Sequence, residues 1–153
     1  MRKILLIGNP NVGKSTLFNS LTKSSEHTGN FHGVTVEEKH KVVKFKDEEY
    51  DFYDLPGMYS LNSFSFEEEV ARDFALKSDA DKIMLLDANS LRKNLYLCLQ
   101  FLELNINFQI LINNYDYFKK YKNNLDIEKL NKKLNINCEI INAKKIKIKD
   151  LFL

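Results

Sequence analysis

Short apolar runs alternate along this chain with stretches whose apolar residues recur every three or four positions, the pattern of strands and helices taking turns. Lys3 to Ile7 reads as a buried strand and Lys14 to Leu21 as a helix, with a glycine-bearing turn between them. Residues 41–46 and 50–54 read as two strands joined by the polar turn Asp47-Glu48-Glu49, an antiparallel pair at one edge. Phe64 to Lys77 predicts a helix and Lys82 to Leu86 a buried strand. Leu91, Leu95, Cys98, Leu99 and Leu102 trace the core face of a long helix starting after Ser90. Phe108 to Ile112 is the next strand, Ile127, Leu130 and Leu134 mark a helix capped by Asp126, and Cys138 to Ile141 gives the last strand. The six strands and their helices predict an α/β fold, a mostly parallel sheet covered on both faces with one antiparallel edge strand. A final helix is barely begun at Asp150-Leu151-Phe152-Leu153, so the sheet face it would cover is expected to expose apolar surface.

Composition narrows this picture. A chain of 153 residues with 44% hydrophobic content suits one globular domain over residues 1–153, and no Pro/Gly/Ser linker or internal repeat divides it. The Asn/Lys/Ile-rich tail keeps a strand-like alternation and reads as compositional bias on an ordinary fold. A formal charge of +2 gives no field that would gather nucleic acid, so no nucleic-acid partner is expected. Cys98 and Cys138 fall inside apolar stretches, which suits two buried thiols in a reducing compartment rather than a disulfide or a metal pair. The longest apolar runs, such as Ile4-Leu5-Leu6-Ile7 and Ile83-Met84-Leu85-Leu86, fall far short of a spanning helix or a signal peptide. Export is therefore not expected, and any work at a membrane would be done from the water side.

The turn after the first strand, Gly8-Asn9-Pro10-Asn11-Val12-Gly13-Lys14-Ser15, matches G-x-x-x-x-G-K-[ST] between a strand and a helix. Such a loop turns backbone N–H groups around a phosphate, and the helix N-terminus adds partial positive charge. Lys14 then sets an ammonium between the β- and γ-phosphates, Ser15 offers a hydroxyl oxygen to Mg²⁺, and Thr16 follows in the first helical turn. Asp54-Leu55-Pro56-Gly57 closes a strand where an acidic residue can hold the Mg²⁺ shell and the Gly57 N–H can turn toward a γ-phosphate. Thr35 lies in a polar, glycine-bearing segment that can bring a hydroxyl to the metal when a γ-phosphate is present.

Asn113-Asn114-Tyr115-Asp116 follows a strand, where nucleotides sit in open α/β sheets. A carboxylate at Asp116 accepts from guanine N1–H and N2–H₂ together, whereas adenine presents an unprotonated N1 and no N2 amine; sites of this kind reject the wrong base by about 10⁴-fold or more. The second position, where a lysine commonly stacks on the base, is Asn114.

Five segments resemble the FeoB family of ferrous-iron transporters: GNPNVGKSTLFNSLT, GNFHGVTVEEK, DLPGMYSL, FEEEVARDF, and LLDANSLRKNLYLCLQFLEL running into INNYD. The most discriminating is Gly29-Asn30-Phe31-His32-Gly33-Val34-Thr35-Val36-Glu37, a first switch that other small GTPases do not share. The resemblance implies a Ras-like P-loop GTPase fold, binding of GTP and GDP with Mg²⁺, slow GTP hydrolysis, and a place at the cytoplasmic face of the cell membrane beside an iron permease. It implies contacts from Gly33, Val34 and Thr35 in the first switch, and a potassium-stimulated mechanism in which the Asn11 side-chain oxygen helps hold K⁺ against the phosphates. Catalysis would then rest on Asn11, Lys14, Thr35 and Gly57, with Ser15, Thr35, Asp54 and Asn11 as metal ligands. Met58 after Gly57 cannot orient water as a glutamine would. His32, His27 and His40 show no metal-ligand spacing, so direct iron binding is not expected.

Two features depart from the family pattern. The fifth nucleotide motif reads Asn142-Ala143-Lys144 with no following glycine, leaving a capping role for Asn142 and an Ala143 N–H aimed at guanine O6. The helical domain and membrane spans that continue the family are not in this chain. A ribosome-assembly or RNA-modification GTPase would share the hydrophobic residue after DxxG, but it predicts a basic face and an RNA-binding appendage. A nucleotide-binding remnant with little turnover is the reading that the altered fifth motif favours.

Overall fold

The computed structural model describes residues 1–23, 27–31, 33, 35–62, 65–114, 116, 120 and 125–151. Seven strands form one sheet: β1 (Arg2–Gly8), β2 (His27–Asn30), β3 (Glu37–Phe45), β4 (Glu48–Asp54), β5 (Asp81–Asp87), β6 (Gln109–Asn113) and β7 (Cys138–Ile140), in the order β2-β3-β4-β1-β5-β6-β7. β1 runs parallel to both β4 and β5, and β5-β6-β7 continue in parallel. Such strands are covered on both faces, and Ile4, Leu5, Leu6 and Ile7 are all fully buried.

Among the described residues the sheet is flanked by α1 (Lys14–Thr22), α2 (Phe66–Lys77), α3 (Leu91–Glu103) and α4 (Ile127–Leu134). α2 starts where the Ser65 hydroxyl accepts the Glu68 N–H at 3.1 Å, and Glu67, Glu68 and Glu69 favour the positive end of its dipole. Asp126 caps α4 by accepting the Lys129 N–H at 3.0 Å, as the sequence implied. The predicted start at Phe64 lies outside the described residues. One core layer joins Leu5, Ile7, Tyr53, Met84 and Phe101 under α2 and α3; the other joins Ile4, Leu6, Phe18, Phe52 and Leu111 under α1 and the tail.

The α/β class and the antiparallel hairpin stand as expected, with differences in detail. The sheet gains β2, which pairs antiparallel with β3, so the antiparallel strand β3 lies second from the edge. The hairpin turns on Lys46-Asp47 alone, with Lys46 at φ 55°, and Glu48 and Glu49 belong to β4. On α3 the fully buried positions are Asn94, Leu97, Cys98 and Phe101, while Leu99 is 47% exposed. The expected bare face at the chain's end is not found among the described residues. Ile141, Ala143, Ile146, Ile148 and Leu151 fold back as buried members of the second core layer, closed by a 3-10 turn at Ile148–Asp150.

Candidate functional site

β1 and β4 end side by side, with Leu6 opposite Asp54 in the register, and this brings the two phosphate-type motifs together. Asn9, Pro10, Asn11, Gly13, Lys14, Ser15, Thr16 and Gly57 line a cleft of about 330 Å³. Gly13 stands at φ 98°, a conformation that glycine adopts freely, and a Cβ there would collide with the Asn113 carboxamide. It also precedes α1 with no side chain capping the helix, so the first-turn N–H groups face the cleft. A Cβ on Gly57 would lie 2.8 Å from the Pro10 nitrogen, so the two loops touch backbone to backbone.

Asp54 is the hub. Lys14 Nζ lies 2.5 Å from its Oδ1, and Ser15 Oγ donates to its Oδ2 at 2.8 Å. The Lys14 and Asp54 side chains are only 10% and 4% exposed, so the pair sits where charge interactions are weakly screened. Gly8 closes β1, and its carbonyl accepts the Met58 N–H at 3.0 Å. Val12 and Leu55 point into the core, so any ligand contact of theirs is through the backbone; Pro56 is half-buried beside Gly57. Asn9 is 3% exposed, and neither polar atom of its carboxamide has a partner among the described residues.

Phe31 N–H donates to the Val36 carbonyl at 3.0 Å, which closes the turn between β2 and β3 and leaves Gly33 and Thr35 exposed at its tip. Thr35 is not among the residues that line the cleft. Val34 and His32 lie outside the described residues.

The base-type motifs converge at the ends of β6 and β7. Asn113 donates from Nδ2 to the Val12 carbonyl and accepts the Ala143 N–H on Oδ1, both at 3.0 Å, so one carboxamide ties the phosphate loop to the fifth motif. The Ala143 N–H, which the sequence reading aims at guanine O6, is engaged by Asn113 here, and the residue is 2% exposed. Asn142 caps its own turn by accepting the Lys144 N–H at 3.0 Å, which is how the loop closes without a glycine. Lys144 is exposed, as is Asp116, two residues past Asn114 in sequence. Asn114 adopts φ 80° and donates to Asp87 Oδ1 at the end of β5.

Several residues near the site carried no signal in the motif reading. Asn94, 2% exposed, accepts the Asp87 N–H at 2.7 Å, and Gln100, Arg72 and Lys93 all meet the loop after Gly57.

With this geometry in place, comparison with known proteins gives a consistent answer. The family model described as ferrous iron transport protein B matches residues 2–152. The chain belongs to this FeoB family. An Fe(2+) transporter FeoB from Helicobacter pylori (strain J99) is 40% identical over 136 residues, 88% of this chain and 21% of that protein. The chain thus spans about a fifth of the length of such FeoB relatives. The cytosolic domain of Thermotoga maritima FeoB, solved in a GDP form, superposes with a TM-score of 0.87 at 38% identity, covering 94% of this chain and 56% of that one. The FeoB G domain of Methanococcus jannaschii matches with a TM-score of 0.78 at 36% identity, covering 95% and 89% of the two chains. The matched part of the FeoB architecture is the G domain, with its Ras-like α/β fold. No helix among the described residues is long and apolar enough to cross a membrane.

Proposed function

We propose that this chain is a single G domain that binds GTP and GDP in the cleft between β1 and α1, hydrolyses GTP slowly, and serves ferrous-iron transport through a membrane permease portion. The observation that carries this reading is the Lys14–Asp54–Ser15 cluster, built on the buried Asp54 carboxylate beside the glycine-bearing loop. The T. maritima FeoB domain solved with GDP and in a GMPPNP form supports it. On this reading the domain works at the cytoplasmic face of the membrane, without a nucleic-acid partner.

The donor set fits Mg²⁺. Ser15 Oγ and Asp54 Oδ2 are hard oxygens within 2.8 Å of each other, the chemistry that magnesium selects, and a bound Mg²⁺ would neutralise charge developing on the phosphates. For K⁺ the fit rests on Asn11, whose carboxamide stands on the exposed rim of the cleft at φ 65°. The chain's own residues do the rest. Lys14 supplies a fixed positive charge to the β- and γ-phosphates. The N–H groups at the start of α1 cradle them, and the Gly57 N–H turns to the γ-phosphate. Thr35 has to leave its exposed turn to reach the metal, which makes the 31–36 segment the part that reports the nucleotide. Met58, fully buried, offers nothing to align an attacking water, so turnover is slow. At the base end, Asp116 selects guanine, and Asn113, Asn142, Ala143 and Lys144 frame the pocket.

The test is GTP hydrolysis by the purified chain in KCl and in NaCl, alongside Asn11→Ala. Potassium is expected to raise the native rate and to leave the variant unchanged. Equal rates of the native chain in the two salts would remove the potassium mechanism, and no release of phosphate in either would remove the enzymatic reading.

A further inference from the structure

The loop that follows Gly57 is anchored at its two ends by different parts of the fold. At its start, Leu55 and Met58 donate N–H bonds to the carbonyls of Leu6 and Gly8 at 3.3 and 3.0 Å, so residues 55–58 ride on β1. At its far end, the Leu61 N–H donates to Gln100 Oε1 of α3 at 2.7 Å, and the Leu61 carbonyl accepts from Arg72 of α2 at 3.4 Å. Between the anchors, Ser60 Oγ accepts the Asn62 N–H at 3.2 Å, and Lys93 Nζ stands 4.6 Å from the centre of the Tyr59 ring. Lys93 and Gln100 are seven residues apart on α3, two helical turns along one side, so one helix edge grips the loop at residues 59 and 61. The piece between the anchors is short, and Gly57 is already in backbone contact with Pro10. Its orientation therefore follows from where Leu61 is held.

We propose that Gln100 is a positioning residue for this loop. By accepting the Leu61 N–H it sets the register in which the Gly57 N–H meets the terminal phosphate, and it thereby ties α3 to the presence of that phosphate. This rests on the reading of Gly57 as the γ-phosphate contact. Gln100 touches neither nucleotide nor reacting atoms; it acts through the loop. A half-buried backbone N–H deprived of its acceptor turns to water, which swings residues 59–61 outward. GDP, lacking the third phosphate, does not sense that movement.

The test compares the native chain with Gln100→Met, which keeps the stem without the oxygen, and Gln100→Glu, which keeps an accepting oxygen at the same reach. Calorimetry reads affinity for GDP and for a non-hydrolysable GTP analogue, and single-turnover assays read hydrolysis. In Gln100→Met, GDP affinity is expected within about twofold of native, while analogue affinity and the single-turnover rate each fall about tenfold; Gln100→Glu returns both to within about threefold. Equal losses for the two nucleotides, or no loss for either, overturn the proposal. A native chain that takes up GDP and the analogue but discriminates neither in the variants defeats only the latch, whereas a native chain that takes up neither defeats the nucleotide reading and the latch with it. Hydrogen exchange at the Leu61 amide of the native protein decides the matter should the variants not fold. Protection about tenfold greater with the analogue than with GDP is expected, and an amide unprotected in both states overturns the proposal.

Discussion

Asp54 shows how much a single residue can organise here. It ends β4, receives Lys14 and Ser15 on separate oxygens, and stays 7% exposed, so one carboxylate sets both the ammonium and the hydroxyl of the cleft. The two cysteines illustrate the opposite case, residues whose chemistry the fold suppresses. Burial, with Cys138 adding in the same direction, pushes the Cys98 thiol up to about 12, and burial pushes Cys138 up to about 11. A thiol raised above its ordinary value stays protonated as pH climbs, so little thiolate exists to react near neutrality. Above the unfolded value of about 8.5 the unfolded chain releases protons that the folded chain retains, and stability falls with rising pH there. Iodoacetamide at about pH 8 is accordingly expected to leave the folded protein unmodified and to label both Cys98 and Cys138 in guanidinium chloride. Mass spectrometry checks this, and ready labelling of the folded chain would contradict the burial.

At the scale of elements, α3 separates what periodicity reveals from what it hides. The face read in sequence, Leu91, Leu95, Cys98, Leu99 and Leu102, is rotated by part of a turn from the buried one: Cys98 is buried and Leu91 and Leu95 pack partly buried against the core, but the deepest positions are Asn94, Leu97, Cys98 and Phe101. Only packing against β5 and β6 chooses between them, and it leaves Leu99 outward. Leu99→Ala is therefore expected to change stability by less than about 0.5 kcal/mol, whereas Phe101→Ala, which empties a fully buried site, should cost about 3–5 kcal/mol in urea unfolding. Similar costs for the two would return the core to the leucine line. β2 escaped notice for another reason: His27-Thr28-Gly29-Asn30 carries no apolar alternation, and its pairing comes from the neighbouring β3 ladder. The strands and helix starts that were legible are those whose signal is local, such as the doubly buried β1 and the cap at Asp126. The phosphate-site residues were legible because spacing and context fix their chemistry. Gln100 and Asn94 were not, because their partners, Leu61 and Asp87, come from other elements.

For the molecule as a whole, the question is which contacts hold the cleft together and which only read the ligand, and Asn113 at the end of β6 and Asp116 beyond it separate the roles. Asn113 spans from the Val12 carbonyl to the Ala143 N–H, joining the loops that follow the central strand β1 and the edge strand β7, and it packs directly against Gly13. Cutting it removes two hydrogen bonds at once and strands a donor and an acceptor that are shielded from water, for Val12 and Ala143 are 3% and 2% exposed. Each such orphan costs about 1–3 kcal/mol, so Asn113→Ala should lower unfolding stability by about 2–4 kcal/mol with no nucleotide added. Asp116 is exposed. Asp116→Asn should leave that stability within about 0.5 kcal/mol while weakening preference for guanine over other bases by several kcal/mol, as expected for a charged pair of hydrogen bonds. Thermal melts without ligand and calorimetry with GDP against ADP distinguish the two effects. If Asp116→Asn kept full guanine preference, the base would have to be read elsewhere, and if Asn113→Ala melted like the native chain, the phosphate and base loops would be held in place by the sheet alone.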